Sequence, residues 1–382
     1  MKVIQCDNQF QVLTGNSIFM HDELPAEVYI VKFAKMTGIF LETTETFAVT
    51  EKIYGKQTDK ITKILNTFSN VDRNLGVLFS GTKGMGKSMS MRQLAKLAVE
   101  KGYPVLIINQ NFDGIVEFLQ KLNQSVVVLF DEFEKVFRMN NDDDSEGCTQ
   151  DKLLSLFDGT LVSAKKLFIM SCNEEQKISR YMINRPGRIH YHIRFTNPGE
   201  EEIFEYCDDN IITGRKEMIP EIVELSYRTA ISYDILRAVC FEINNSTTND
   251  FMSIIEDLNI NGGEYLNYLL TLKIGEMTFE GTAMFDFARG AKEATAWLWE
   301  VKTVSDTDAE EHERGRVGVT FSISDGRIDS SDKTIVISGE DIFVDPRCVN
   351  QEFRKTILQN TKSSRLSIKM IPQTFVNNND YD

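Results

Sequence analysis

Short apolar runs alternate with helix-spaced segments along the first half of the chain. A run at residues 77–79 is followed by others at 104–108, 126–130 and 167–170, each bounded by polar residues. Such runs are typical of strands that are buried on both faces, and their alternation with helices predicts a doubly wound parallel sheet. We therefore expect an α/β core over residues 53–197.

The pattern differs on both sides of this core. Two β-rich runs around a glycine-containing turn predict a small hairpin within an N-terminal β-rich region, residues 1–52. After the core, apolar residues recur at helical spacing, which predicts a small helical lid over residues 198–260. Strict alternation then returns and predicts a separate β-rich domain over residues 261–382. No repeat of fixed period is visible, so solenoid and propeller folds are not expected.

A glycine-rich octapeptide lies between the run 77–79 and a helix-spaced segment. It reads Gly81-Thr82-Lys83-Gly84-Met85-Gly86-Lys87-Ser88, a complete G-x-x-x-x-G-K-S motif. In such a loop, backbone N–H groups and the helix N-terminus face phosphate oxygens, Lys87 neutralises the β and γ phosphates, and Ser88 binds Mg²⁺. The flanking strand and helix favour this interpretation over a glycine-rich turn without function.

Two carboxylates, Asp131 and Glu132, follow the buried run 126–130. Open α/β sheets bind ligands at the carboxyl ends of their strands, so Asp131 would hold Mg²⁺ and Glu132 would orient and deprotonate a water molecule. The next strand ends at Asn173, whose amide could hold the same water. Taken alone, Asn173 is more typical of a turn. The Asp-Glu pair is a strong signal, because it follows the phosphate loop by the length of chain that one further strand requires.

A further motif follows, which reads Asn184-Arg185-Pro186-Gly187-Arg188-Ile189. With the preceding motifs, and a Leu-Leu-Ser-Leu-Phe-Asp-Gly stretch between them, it resembles the AAA clade of the AAA+ ATPases. The resemblance covers residues 53–245 and implies hydrolysis of ATP with Mg²⁺. It also implies a homo-oligomeric ring, usually a hexamer.

The same resemblance implies roles for single residues. Asn173 would be sensor 1, and Arg185 and Arg188 would be arginine fingers that project into a neighbouring subunit's site. A planar guanidinium suits that role because it stabilises charge spread over a transferring phosphoryl group. A solvent-exposed turn is the alternative interpretation of the two arginines.

The chain departs from the family pattern at several points. His190 stands where the family usually has Asp, and Ser232-Tyr233-Asp234 replaces Gly-Ala-Asp at the nucleotide-facing turn of the lid. Only residues 109–125 separate the second strand from the Asp-Glu strand. Protein-threading members carry an aromatic-hydrophobic-Gly pore loop there, and the nearest candidate is Phe112-Asp113-Gly114. A turn capped by a buried phenylalanine explains that tripeptide equally well.

Other polar clusters have weaker interpretations. The acidic segment 140–147 lies where the family places a second pore loop, and it would make the channel of a ring anionic. Its calcium-loop pattern fails at Leu153, where a bidentate acid is required. His190 and His192 share a face of a predicted strand without a third ligand, which favours a structural role over a metal site. The pair Trp297/Trp299 is more typical of a core or an interface than of base stacking.

Charge and cysteine content narrow the class of partner. There are 57 acidic and 42 basic residues, so the formal net charge is −15, and this field disfavours nucleic acid. The six cysteines show no C-x-x-C spacing, which predicts reduced thiols rather than a zinc or redox site. No apolar run predicts secretion or membrane insertion, so we expect a cytoplasmic protein.

These observations favour a Mg²⁺-dependent, ring-forming ATPase that remodels or disassembles a protein partner. The N-terminal hairpin or the C-terminal β domain would recruit that partner. One alternative is a DNA-processing ATPase, which the acidic charge disfavours. The other is a nucleotide-gated assembly or scaffold protein without threading, which the short segment 109–125 leaves open.

Overall fold

The structure is a computed structural model in two compact units. The first unit contains residues 1–81 and 86–194, and the second contains residues 82–85 and 195–382. The residues that the structure describes are 2–6, 9–13, 21–34, 38–44, 52–138, 148–157, 164–255, 257–258, 260, 266–285, 293–301, 315–322, 325–329, 331–346 and 351–371.

The first unit is built on a seven-stranded sheet, and a separate antiparallel pair of strands precedes it. The pair consists of β1 (Lys2–Cys6) and β2 (Gln9–Leu13). The strands of the sheet are β3 (Val28–Ala34), β4 (Gly38–Thr43), β5 (Leu75–Ser80), β6 (Val105–Ile107), β7 (Val126–Phe130), β8 (Lys166–Cys172) and β9 (Tyr191–Arg194). Their order is β4-β3-β6-β7-β8-β5-β9, and every pair except β3–β4 is parallel. The predicted doubly wound α/β core is confirmed.

Six α-helices lie in the described part of the first unit. They are α1 (Gln57–Asn70), α2 (Lys87–Glu100), α3 (Ile115–Lys121), α4 (Phe133–Val136), α5 (Gln150–Phe157) and α6 (Arg180–Ile183). The apolar positions of α1 that recur at helical spacing are all buried, as the pattern predicts. At the end of α1, Lys165 Nζ donates hydrogen bonds to the carbonyl groups of Phe68, Ser69 and Val71, and a cation suits this negative end of the helix dipole.

The predicted N-terminal hairpin forms as β3 and β4, but it does not stand apart from the core. β3 pairs in parallel with β6, with Val28 opposite Val105 and Ile30 opposite Ile107. The hairpin therefore extends the central sheet by two strands. The sequence pattern could predict the strands but not this pairing, because it joins segments more than 70 residues apart.

In the described part of the second unit, the helices that directly follow the core form a small bundle, as expected for the lid. They are α7 (Glu200–Asn210), α8 (Ile219–Arg228), α9 (Tyr233–Asn245) and α10 (Phe251–Ile255). Their shared core includes Ile203, Ile222, Leu236 and Ile243. In the described part of the chain, no helix has both the length and the apolar character that crossing a membrane requires.

An antiparallel eight-stranded sheet follows, which confirms the predicted β-rich C-terminal domain. Its elements are β10 (Leu266–Ile274), β11 (Met277–Phe285), β12 (Ala294–Glu300), β13 (Arg316–Phe321), β14 (Arg327–Asp329), β15 (Thr334–Ser338), β16 (Ile342–Pro346), α11 (Gln351–Asn360) and β17 (Arg365–Met370). The strand order is β14-β15-β17-β10-β11-β12-β13-β16. Alternate residues such as Leu270, Leu272 and Leu298 are buried on one face, as the period of two requires. Within the second unit, Tyr268 Oη donates a hydrogen bond of 2.7 Å to the carbonyl of Arg228, which links this sheet to α8.

Candidate active site

The glycine-rich octapeptide follows β5, and its last two residues begin α2. Gly81, Gly84 and Gly86 have φ angles of 150°, 77° and 84°, a region that glycine enters without the steric cost of a side chain. Gly86 is the residue before α2, so the first N–H groups of that helix lack carbonyl partners in the helix itself. A loop of this form can bind an anion through its backbone.

Gly84 also lies against the N-terminal turn of α9, within the second unit. The N–H of Tyr233 donates to the Gly84 carbonyl at 3.0 Å. A Cβ on Gly84 would lie 2.8 Å from Asp234 Oδ2 and 3.0 Å from Ser232 Oγ. The positive φ angle and this close approach both favour glycine at position 84, and the approach involves the Ser-Tyr-Asp turn that departs from the family pattern.

Lys87 is buried, with 7% of its surface exposed. Its Nζ donates to the carbonyl of Gly81 at 2.7 Å and to Asn173 Oδ1 at 2.8 Å. Burial lowers the pKa of the amine, and the nearby Cys172 and the carboxylates offset part of that effect. The ammonium group of Lys87 thus donates to two neutral oxygens. The charged oxygens of a phosphate group could replace them as acceptors.

Ser88 and Asp131, the two residues predicted to hold a metal ion, are neighbours. Ser88 Oγ lies 3.2 Å and 3.3 Å from the two carboxylate oxygens of Asp131. Hydroxyl and carboxylate oxygens are ligands that suit Mg²⁺, which usually keeps water and phosphate oxygens as its other ligands. The donor set fits Mg²⁺. Among the residues that the structure describes, no group of three or more His, Cys, Asp or Glu side chains is arranged to hold a metal.

Glu132 and Asn173, the predicted base and sensor, are also brought together. Asn173 Nδ2 donates to Glu132 Oε1 at 3.2 Å, and Lys135 Nζ forms an ion pair with the same oxygen at 2.5 Å. This pairing with Glu132 raises the pKa of Lys135. Glu132 has φ 50° and ψ 51°, a left-handed conformation that costs a non-glycine residue on the order of 1–3 kcal/mol. The surrounding contacts offset that cost and fix the carboxylate at the end of β7.

Ser171 and Glu134 also belong to this site. Neither is part of a sequence motif, and the sequence did not predict their contacts. Ser171 Oγ donates to Asp131 Oδ1 at 2.5 Å and accepts from the N–H of Glu132 at 2.8 Å. Glu134 Oε1 accepts from the N–H of Asn173 at 2.9 Å. Ser171 could have been found because it lies two residues before Asn173, on the same face of its strand. The signal for Glu134 is an acid directly after Phe133, in a short segment that also contains Val136 and Phe137.

The two arginines of the Arg-Pro-Gly-Arg turn differ in exposure. Arg185 is exposed, whereas Arg188 is only 8% exposed and its Nη1 donates to the carbonyl of Tyr181 at 2.8 Å. The turn packs on β5, where the N–H of His190 donates to the carbonyl of Gly76 at 2.8 Å. The family resemblance predicts that both guanidinium groups project outward, but this packing holds Arg188 against its own chain and leaves Arg185 at the surface.

The candidate pore-loop tripeptide is a turn at the start of α3. Phe112 is buried and stacks on Phe33 of β3, with ring centroids 5.4 Å apart and planes at 12°. Asn111 fixes the turn through both ends of its amide, which bond to the backbone of Cys148 at 2.7 Å and 3.0 Å. Of the two interpretations, the structure favours the turn capped by a buried phenylalanine. The acidic segment 140–147 lies outside the described residues.

The two predicted histidines differ in their surroundings, and the two tryptophans contact the same arginine. His192 Nε2 bonds to Ser80 Oγ at 2.7 Å and lies 3.5 Å from Glu175 Oε2, and burial lowers the pKa of its imidazole. His190 is exposed. In the C-terminal sheet, the guanidinium of Arg316 lies over the rings of Trp297 and Trp299 at 4.2 Å and 4.9 Å.

Comparison with known proteins agrees with the geometry of this site. A comparison with curated proteins finds none that matches the chain. The family model described as "ATPase family associated with various cellular activities (AAA)" matches residues 77–197. This segment contains the glycine-rich loop, the Asp-Glu pair, Asn173 and both arginines. The chain therefore contains an ATPase domain of the AAA family over residues 77–197.

Proposed function

We propose that the protein is a Mg²⁺-dependent ATPase whose active site lies at the carboxyl ends of β5, β7 and β8. One observation carries this proposal. A continuous set of contacts connects Lys87 to Asn173, and Asn173 to Glu132, while Ser88 and Asp131 stand together beside them. Phosphate binding, metal binding and water activation thus have residues of suitable chemistry in one place.

The contacts also suggest an order of events. Phosphates of ATP would bind to the loop amides and draw Lys87 Nζ away from Asn173 Oδ1. Ser88 and Asp131 would hold Mg²⁺, which neutralises phosphate charge when it is bound. The freed Asn173 amide would then orient a water molecule, and Glu132 would accept its proton as the water oxygen attacks the γ-phosphorus and the bond to the β–γ bridging oxygen breaks.

The test of this proposal is ATP hydrolysis by purified protein. We expect turnover that chelation of Mg²⁺ abolishes, and we expect Lys87→Ala to weaken ATP binding by about a hundredfold or more, because it removes a buried cation from the phosphate site. Lys96→Ala is the matched control, since Lys96 is exposed on the same helix. Equal turnover by Lys87→Ala and Lys96→Ala would contradict the proposal.

The proposal extends to the oligomeric state of the protein and to the class of its partner. We propose a homo-oligomeric ring, hexameric as the family resemblance implies, in which Arg185 of one subunit completes the site of the next. The exposed position of Arg185 supports this role, and the buried position of Arg188 suits a residue that supports the turn. The net negative charge favours a protein client over nucleic acid.

A second candidate is a nucleotide-gated assembly protein that does not thread its partner. The observation that favours it is the burial of Phe112 under β3, because a buried ring cannot grip a polypeptide in a channel. ATP-dependent unfolding of a tagged protein would separate the two candidates. Unfolding activity that survives Phe112→Leu would show that threading does not use this aromatic ring.

A further inference from the structure

Glu134 is a buried carboxylate next to the proposed catalytic residues, and no sequence motif assigns it a role in this chain. It is the second residue of α4, and only 7% of its surface is exposed. Its Oε1 accepts a hydrogen bond from the backbone N–H of Asn173 at 2.9 Å. Its Oε2 is buried and has no hydrogen-bond partner in the described part of the chain.

Asn173 is held at three points, and Glu134 is one of them. The side-chain oxygen of Asn173 accepts from Lys87, and its side-chain nitrogen donates to Glu132. Those two contacts hold the amide group itself, whereas Glu134 holds the backbone from which the amide projects. Loss of the Glu134 acceptor would leave a backbone N–H unpaired at the end of β8 and would release the side chain from its alignment.

The second oxygen of Glu134 is buried and has no hydrogen-bond partner among the described residues. Buried polar atoms in native proteins are rarely unpaired, and a catalytic role is one of the recognised reasons for an exception.

We propose that Glu134 is a positioning residue for ATP hydrolysis, acting through Asn173. By fixing the backbone of Asn173, it keeps the amide aligned on Glu132 after phosphate binding draws Lys87 away. The inference rests on the proposed function. It predicts that Glu134 affects the chemical step and not the binding of ATP, because the hydrogen bond of Glu134 is made to Asn173 and not to the phosphate loop.

Two variants separate the acceptor from the volume of the side chain. Glu134→Met fills the same space without an acceptor, and we expect it to lower kcat about tenfold or more while the Kd for ATP changes less than about threefold. Glu134→Gln keeps an acceptor for the Asn173 N–H, and we expect its kcat to stay within about threefold of wild type. Glu117→Ala, at an exposed position on α3, is the control.

A double-mutant cycle tests whether Glu134 acts through Asn173. We expect Glu134→Met to cause no further loss of kcat in an Asn173→Ala background, since the group that it positions is already absent. Multiplicative losses, or kcat and ATP affinity falling together without recovery in the Gln variant, would overturn the inference. If Glu134→Met does not fold, Glu134→Gln decides, because a kcat as low as that of Glu132→Gln would make Glu134 more than a positioning residue. An inactive wild-type protein would instead refute the proposed function.

Discussion

The carboxyl ends of β5, β7 and β8 differ from the two turns that carry Phe112 and Arg188, although all lie in the first unit. At the strand ends, polar side chains contact one another and keep groups available for a ligand. In the turns, Phe112 and Arg188, which the family resemblance directs outward, are packed against their own chain. The difference teaches that the residues at the strand ends converge because of the sheet, whereas the exposure of the turn residues depends on how each turn packs.

The strand ends and the turns differ because their arrangements have different physical origins. Parallel strands bring their carboxyl ends to one edge of a sheet, so residues that follow them converge wherever the strands form. A turn has no such constraint, because its burial depends on distant segments. Phe112 is buried by Phe33, almost 80 residues earlier in the chain, and Arg188 by the packing of its turn on β5.

The largest expected effect separates the two arginines. Arg185→Ala should lower ATP turnover about a thousandfold or more without changing Tm, because it removes a finger from the neighbouring site while its side chain is exposed in its own subunit. Arg188→Ala should instead lower Tm, since a buried charged hydrogen bond contributes about 1.5–3 kcal/mol. Turnover and thermal unfolding of both variants check this contrast.

Mixing experiments sharpen the same contrast. Arg185→Ala and Lys87→Ala subunits, each inactive alone, should recover some activity together, because an intact nucleotide site can then face an intact arginine. Dilution should lower the specific ATPase activity of the wild-type protein, because separated subunits lack the neighbouring Arg185. Specific activity that stays constant over a wide dilution range would mean that Arg185 is a residue of a solvent-exposed turn and not an arginine finger.

The next effect concerns Phe112. Phe112→Ala should lower the free energy of unfolding by about 3 kcal/mol, because it opens a cavity under the stacked ring of Phe33. Asp113→Ala, at an exposed position in the same turn, should change it by less than about 0.5 kcal/mol. Urea unfolding measures both. A fully stable Phe112→Ala protein that had lost work on its client would restore the pore-loop interpretation.

The smallest effect concerns Lys166, a buried amine at the start of β8 and far along the strand from the reactive end. Its Nζ donates to the carbonyls of Leu122 and Ala164, both at 3.0 Å, and burial lowers its pKa from 10.5 to about 8. Between pH 8 and 10.5 the folded chain therefore binds fewer protons at this site than the unfolded chain, so stability rises with pH.

Lys166→Met should remove this dependence on pH. The free energy of unfolding of wild type relative to the variant should be flat below pH 8 and should rise by at most about 3 kcal/mol up to pH 10.5. Urea unfolding at several pH values measures it. A difference that does not vary with pH would mean that Lys166 keeps its ordinary pKa in the fold.

Sequence predicted the parts of the molecule that depend on local order. The phosphate loop, the Asp-Glu pair and Asn173 each follow a short apolar strand, so their convergence follows from the order of motifs along the chain. The alternation of the C-terminal domain likewise predicted its strands. Neither inference needed a contact between particular distant residues.

The remaining features depend on such contacts. The parallel pairing of Val28 with Val105 adds the hairpin to the central sheet, and no periodicity in the sequence specifies a partner strand. In the sequence, nothing distinguishes Glu134 from the other acidic residues, and only the fold brings it into contact with Asn173. Arg185 and Arg188 look equivalent in the motif, and only the packing of the turn on β5 distinguishes them.

The most direct test of the central claim is a comparison of ATP binding and single-turnover hydrolysis in wild type and Glu132→Gln. The substitution keeps the shape of the side chain and removes only the group that accepts a proton from water. We expect the variant to bind ATP with a Kd close to that of wild type and to hydrolyse it at least about a hundredfold more slowly. Hydrolysis by Glu132→Gln at the wild-type rate would contradict the assignment of the catalytic base.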